Sequence, residues 1–425
     1  MKKVILLVAL LMGAAGVIPA SAQRDNRHHE KNVVSAFSHE DTDHSKVEKI
    51  IKSNAPASPN DNGLPRFIIV GKDHQFYLGL GAQFLGEGVF DWGDDMPSPI
   101  LMTPSSIVPS TPGNGASTRF AWQTSSIYMN FVALPGTHNQ IGLFFKGNFK
   151  GANNTFHCHH FYARFRGLTA GYTTSPFTDA SAESFTIDNE GPNGYPYLTL
   201  FTAYWKQNFT PDFSGAIGID APSASISTGT RTSTVNQRIP ALPAYLQYAW
   251  DGGNSHIRLS GIIRPLQYRD LVRSENKTIV GTGVQLSGMA GLVGNLSVQY
   301  SGAYGSGIGN YLQDDTGIGL DAVPTAVDGT LKAVRSMGLT GGLSYSFSPK
   351  VSSNLVYSHL SNWFGENTAL SDDTYRHGDY VVANIIYAVN KFVSAGIEYD
   401  YGNRRNISGS SLHTNRIQCQ FAVTF

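Results

Sequence analysis

The last stretch of the chain alternates apolar and polar residues one for one. Ile417, Cys419, Phe421, Val423 and Phe425 share one parity; Arg416, Gln418, Gln420, Ala422 and Thr424 share the other. A two-residue period is that of a β-strand with one greasy and one mostly polar face. The period recurs upstream. Ile141, Leu143, Phe145 and Phe149 oppose Gln140, Lys146 and Asn148, and Phe161, Ala163 and Phe165 oppose Tyr162, Arg164 and Arg166. Ile257, Leu259 and Ile263 oppose His256, Arg258, Ser260 and Arg264. Apolar residues turned to lipid and polar ones turned to a watery lumen make the pattern of an outer-membrane barrel, with aromatic residues such as Phe425 at the interface. A terminal Phe in this register resembles the signal read by the barrel-assembly machinery, which is therefore an expected partner during biogenesis.

The breaks between these segments alternate in length. Short ones fall at Pro135-Gly136, Arg166-Gly167-Leu168, Thr210-Pro211-Asp212, Asp251 with Gly252, Gly253 and Asn254, residues 290–294, Ser348-Pro349-Lys350 and Asn390-Lys391. Long polar or Gly/Pro-rich ones fall at 91–116, 150–154, 176–195, 222–240, 265–277, 305–331, 364–376 and 403–411. This predicts an all-β fold: a sixteen-stranded antiparallel transmembrane β-barrel, with short periplasmic turns and long extracellular loops. A barrel of that size is wide enough for an aqueous channel. A soluble β-propeller would need a repeat of about 40 residues, which is absent here.

Residues 1–22 read as a signal peptide: Lys2 and Lys3, an apolar run over 4–11, and Ala20-Ser21-Ala22 before Gln23. Residues 23–66 read as a charged periplasmic segment and linker, with one short helix plausible within 39–54, where Val47, Ile50 and Ile51 have helical spacing. Residues 67–425 are the barrel. The expected location is the outer membrane of a Gram-negative cell, among its lipids.

The chain has 45 Gly, 20 Tyr and 23 Phe in 425 residues, and equal numbers of acidic and basic side chains. Its mean hydropathy is −0.17. Aromatic richness without overall hydrophobicity suits a barrel, and the balanced charge excludes nucleic acid as an expected partner. Cys158 reads as inward and Cys419 as outward, so two free thiols are expected. His157, Cys158, His159 and His160 look like metal ligands, but strand neighbours point to opposite faces. His39, Glu40, Asp41, Asp43 and His44 suit a solvated segment better than a metal site. No metal or cofactor is expected. Catalysis is not expected either: His138, His256, His359 and His413 could serve as bases, but no Gly-x-Ser-x-Gly elbow marks a nucleophile.

Arg119, Lys146, Arg164, Arg166, Arg258, Arg264 and Arg416 all fall on the inward parity. An arginine turned to lipid at mid-membrane costs about 2–4 kcal/mol, which fixes the inward choice. Cationic rings favour anions, and guanidinium forks onto carboxylates. The long stretch 176–195 carries Asp179, Glu183, Asp188 and Glu190, and could fold inward to narrow the pore. The reading is a porin for small, anionic, dicarboxylate-like solutes. The alternative is a surface adhesin or structural barrel without a conducting pore. Thr124 and Ser126, read as outward beside Trp122 and Tyr128, suit a subunit contact better than hydrocarbon.

The run Tyr162-Ala-Arg-Phe-Arg-Gly-Leu-Thr-Ala-Gly-Tyr-Thr-Thr-Ser-Pro-Phe-Thr-Asp179, then Ser184-Phe-Thr-Ile-Asp-Asn-Glu-Gly-Pro-Asn-Gly194, resembles the DcaP-type trimeric porins. So does Ile239-Pro-Ala-Leu-Pro-Ala-Tyr-Leu-Gln-Tyr248 with the segment from Ser255 to Arg264. The resemblance implies a sixteen-stranded channel, a homotrimer, and uptake of dicarboxylate-like anions through a constriction lined by Arg164, Arg166, Arg258 and Arg264. Some relatives carry a periplasmic coiled coil, but residues 24–66 lack sustained heptads.

Overall fold

The computed structural model describes residues 34–35, 44–58, 67–113, 115–365 and 367–425. The expected signal peptide and its cleavage site lie outside these residues, as do His39, Glu40, Asp41 and Asp43. Among the described residues, sixteen strands follow one another around a closed wall. They are β1 (Phe76–Gly93), β2 (Ala116–Ala121 and Ser126–Ala133), β3 (Ile141–Asn148), β4 (His157–Phe165), β5 (Leu168–Thr174), β6 (Thr199–Asn208), β7 (Phe213–Asp220) and β8 (Leu242–Trp250). The second half comprises β9 (Ser255–Asp270), β10 (Glu275–Gly291), β11 (Leu296–Ser306), β12 (Arg335–Ser348), β13 (Val351–Trp363), β14 (Tyr375–Ala388), β15 (Val393–Asn406) and β16 (Ser411–Thr424). Each pairs antiparallel with the next, and β16 closes on β1 with Arg416 opposite Asp91. Phe425 exchanges backbone hydrogen bonds with Ala82 on β1. Closure leaves no free edge, which lipid requires.

Alternation sets the faces. Phe84, Phe90, Ile217, Leu259, Val284 and Phe421 are exposed on the outside. Their neighbours Asp91, Ser260, Gln285 and Gln418 are buried in the interior. The breaks fall where composition predicts, with two differences: the predicted break 403–411 is strand up to Asn406 and again from Ser411, and 265–277 is shorter too. Residues 265–277 are strand except for a four-residue turn, because β9 and β10 pair as far as Asp270 and Glu275, with Pro265 opposite Val280.

Two irregularities overturn parity-based readings. Between Glu87–Ala121 and Gln83–Ser126, strand β2 carries one residue more than β1. The extra residue flips the faces beyond it. Thr124, Ser126 and Tyr128 are therefore buried inside, with Thr124 donating to Glu87 at 3.2 Å, and do not form an outward patch beside Trp122. In β4, Lys146 pairs with His160 but Gly147 pairs with Cys158, leaving a bulge at His159. Parity no longer places Cys158 inward, and His159 stands beside His160 with ring centroids 4.4 Å apart. Both cysteines are free.

The interior is filled from both ends. Loop 175–198 crosses it, and loops 94–115 and 307–334 pack above. Met96, Met102 and Ile107 meet Val356, Tyr380 and Val382, while Ile308, Tyr311, Leu312, Leu320 and Val323 meet Phe177, Ile262 and Leu360. Helix α1 (His44–Asn54) lies against the wall, Val47 and Ile51 packing on Tyr77 of β1 and Val132 of β2. The expected helix exists, but it packs inside the barrel instead of standing free beyond it.

Candidate functional site

Loop 175–198 is anchored on both sides of the lumen. At its start, Asp179 accepts hydrogen bonds from His256 (2.8 Å) and Ser287 (2.7 Å), and the Arg258 guanidinium lies 3.4 Å away. Burial would push the Asp179 carboxyl up, but the Arg258 charge and these hydrogen bonds hold it well below the usual range. On the far side, the Ile187 amide donates to Glu398 (2.7 Å), and Met102 N and Tyr380 Oη donate to Asp188 (both 2.9 Å). Gly194 N donates to Ser358 at 2.9 Å. This crossing needs room on the wall. A Cβ on inward Gly338 would stand 1.9 Å from the Gly194 carbonyl oxygen, so only glycine admits the loop there.

The loop locks onto its neighbour. Backbone amides of Gln313 and Asp314 donate to Tyr195 and Asn193 at 3.1 Å each, and the Gln313 side chain bonds the Glu190 carbonyl. Burial pushes the Glu190 carboxyl up to about 8, with Asp188 and Asp314 adding repulsion that Lys150 only partly offsets. Burial also pushes Asp314 up to about 7, against hydrogen bonds from Tyr375 (2.6 Å) and Ser105 (3.1 Å). Glu183, the remaining loop acid, accepts from Ser58.

The seven cations read as inward separate into groups, and one of them, Arg166, is not inward. Arg264 is fully buried and forks onto Asp321 of loop 307–334 at 2.7 and 3.0 Å. Arg416 is equally buried on Asp91 (2.7 Å) and the Ser98 carbonyl (2.7 Å). Arg119 bonds Asp91, Met96 O and Pro97 O, in a recess of about 330 Å³ shared with Asp94 and Asp95. Arg166 sits in the short turn after β4, beyond the lumen wall, bonded to Asn139. Lys146 is half-buried on β3.

Arg164 and Arg258 form the last group. Arg164 donates to the Ser53 carbonyl (2.6 Å), lies 4.9 Å from the Tyr162 ring centroid and stands close enough to Tyr204 to interact with it electrostatically. Arg258 lies 4.2 Å over Tyr245 and bonds Gln247 at 2.6 and 2.9 Å. Between them stands Lys206, exposed and close enough to feel both charges. Sequence reading passed over Lys206, although the alternation of Phe201 and Trp205 (outward) with Thr202, Tyr204 and Lys206 carries its inward parity. Register aligns Arg164, Thr169 and Tyr204 in one row and Lys206, Ala216 and Tyr245 in the next. Three cations and three tyrosines thus share one wall, spaced by small residues.

Among the described residues, His359 on the outward face of β13 stands between Asp379 (2.8 Å) and Ser361 (2.7 Å), but the inward His256 forms no catalytic relay. Asp179 itself receives both His256 and Ser287, whereas a relay needs the histidine between acid and nucleophile. Among the described residues no group of three or more His, Cys, Asp or Glu side chains could hold a metal ion.

This is a porin fold. The "outer membrane channel DcaP of Acinetobacter baumannii" superposes with a TM-score of 0.72 at 19% identity, covering 83% of this chain and 99% of that one. The "anion-selective porin from Comamonas acidovorans" matches at 0.55 and 8% identity, over 82% and 100%. A loop-deletion mutant of the Vibrio cholerae outer membrane protein OmpT matches at 0.52 and 9%, over 83% and 100%. No family model matches the sequence, and no curated protein does. The porin barrel agrees with the motif resemblance.

Proposed function

We propose that this porin is an outer-membrane channel for passive uptake of small anionic, dicarboxylate-like solutes. The observation that carries the reading is the convergence of Arg164, Lys206 and Arg258 with Tyr162, Tyr204 and Tyr245 on one lumen wall. Guanidinium and ammonium groups attract carboxylates, and the tyrosines add hydroxyl donors. The filter is narrower than sequence alone implies: Arg264 and Arg416 act as loop anchors, and Arg119 and Arg166 sit at the rims. Lys146 extends the wall toward β3. Asp179, Glu183, Asp188 and Glu190 belong to the constriction loop, and Asp179 and Asp188 are spent on anchoring it. Likeness to a channel described as anion-selective supports the choice of sign.

Trimeric assembly rests on the motif resemblance, since the expected Thr124–Ser126 patch faces inward. Native mass spectrometry in mild detergent should give three copies, and monomer alone would remove that part. Uptake into proteoliposomes tests the function. Small dicarboxylates should enter faster than neutral solutes of equal size; equal rates would make this a general diffusion pore, and no stable conductance would favour the structural-barrel alternative.

A further inference from the structure

Helix α1 and the residues after it occupy the lumen face of β1–β4. Val47 and Ile51 bury against Tyr77 and Val132. Asn54 then docks by its side chain: its amide donates to Asn130 Oδ1 (2.7 Å) and to the Leu143 carbonyl (3.2 Å), while Asn130 donates to the Ile51 carbonyl (2.8 Å). Tyr162 donates to the Asn54 carbonyl at 2.7 Å, and Ala55 packs among Tyr128, Phe144 and Tyr162. The wall is shaped for this segment. A Cβ on inward Gly142 would stand 2.0 Å from Asn54 Oδ1.

Two contacts tie the segment to the filter. The Ser53 carbonyl accepts from Arg164 at 2.6 Å, and Ser58 donates to Glu183 of the constriction loop. A carbonyl at the edge of the guanidinium orients it without neutralising it, because a neutral acceptor leaves the charge in place. The Tyr162 ring packs against the guanidinium plane, 4.9 Å from its centre. A helix with its side chains is about 10 Å across, a substantial part of the bore of a sixteen-stranded barrel.

We propose that residues 44–58 are a working part of the channel: an internal constriction that sets its size limit, with Ser53 and Asn54 positioning Arg164 for anionic solutes. This rests on the channel reading above and adds a specificity-determining segment to it.

The test uses full-length protein carrying Val47→Asp with Ile51→Asp, and separately Gly142→Leu, which acts from the wall. Heat-modifiable mobility establishes that each barrel is closed. Single-channel conductance in potassium chloride should rise by roughly half or more, as expected when a cylinder about 10 Å wide leaves the lumen. Neutral sugars excluded by the wild type should enter, and discrimination between a dicarboxylate and its neutral analogue should fall. A second readout does not depend on conduction. Ala55→Cys, buried among Tyr128, Phe144 and Tyr162, with Cys158 and Cys419 changed to Ser, should resist a water-soluble thiol reagent and become reactive when Gly142→Leu is added. Wild-type conductance and size limit in both variants would overturn the proposal, as would equal labelling of Ala55→Cys with and without Gly142→Leu. A chain that never conducts would instead overturn the channel reading, leaving the labelling to decide the docking.

Discussion

Arg164 and Arg264 have the same inward parity, yet they belong to different parts of the molecule. Arg264 faces the half of the lumen where loop 307–334 folds in, and its guanidinium is enclosed by Asp321, the Gly307 carbonyl (2.6 Å) and the Tyr311 ring. Arg164 faces the half nearer the short turns, among tyrosines and the Ser53 carbonyl, with no carboxylate among its hydrogen-bond partners described above. A buried, paired guanidinium fixes a loop, whereas one without an acid partner leaves its charge to act on solutes. Parity gives the face of the wall; what folds against that face decides the role.

The sharpest way to break this contrast is to remove one partner from each region. Asp321→Ala strands the Arg264 charge, and losing one partner of a buried pair costs about 3–5 kcal/mol. The thermal midpoint for barrel unfolding should fall clearly, while Arg264→Met combined with Asp321→Leu should recover most of the loss. Arg164→Ser, by comparison, should leave the midpoint nearly unchanged and alter permeation.

A smaller effect is expected at the crossing loop. Gly338→Val drives a side chain into the Gly194 carbonyl, and overpacking of this kind costs about 1–3 kcal/mol. Displacement of loop 175–198 should appear as noisier single-channel current and faster proteolysis of that loop.

The mildest prediction concerns pH. Glu190 rises from its ordinary 4.5 to about 8, and Asp314 from 3.8 to about 7. Acids raised on folding contribute stability that is complete below their unfolded values and lost as pH rises through the folded ones. The junction between residues 193–197 and 311–315 should therefore be tightest below about pH 4 and loosen progressively from there to about pH 8. Hydrogen exchange at those amides, corrected for its intrinsic pH dependence, should show protection falling across that window. Constant protection would contradict the assignment.

Much of the barrel was legible because lipid imposes a simple rule on every strand, and one rule repeated sixteen times survives local error. The sites where it failed have identifiable causes. The extra residue in β2 turned Thr124 and Ser126 inward, and the bulge at His159 broke the alternation around Cys158. A bulge changes a count of one and leaves no mark on composition. The site was legible only as a set of inward cations. Whether Arg264 or Arg164 meets solute depends on long-range contacts, such as Asp321 reaching β9 and Ser53 reaching β4, and periodicity carries no such information. Helix α1 was visible from Val47, Ile50 and Ile51, but its docking site depends on Asn130 and Gly142, distant in sequence.

The central claim is that Arg164, Lys206 and Arg258 set the field of the lumen. Arg258 also braces Asp179, so its removal would disturb the constriction loop as well as the charge. The cleanest measurement is the zero-current potential across a potassium chloride gradient for wild type and Arg164→Ser with Lys206→Ser. The account predicts anion preference in the wild type and a loss of roughly fivefold in the permeability ratio, the factor worth ~1 kcal/mol, which is the interaction of two charges 4 Å apart in water. An unchanged potential in the double variant, with dicarboxylate uptake intact, would contradict it.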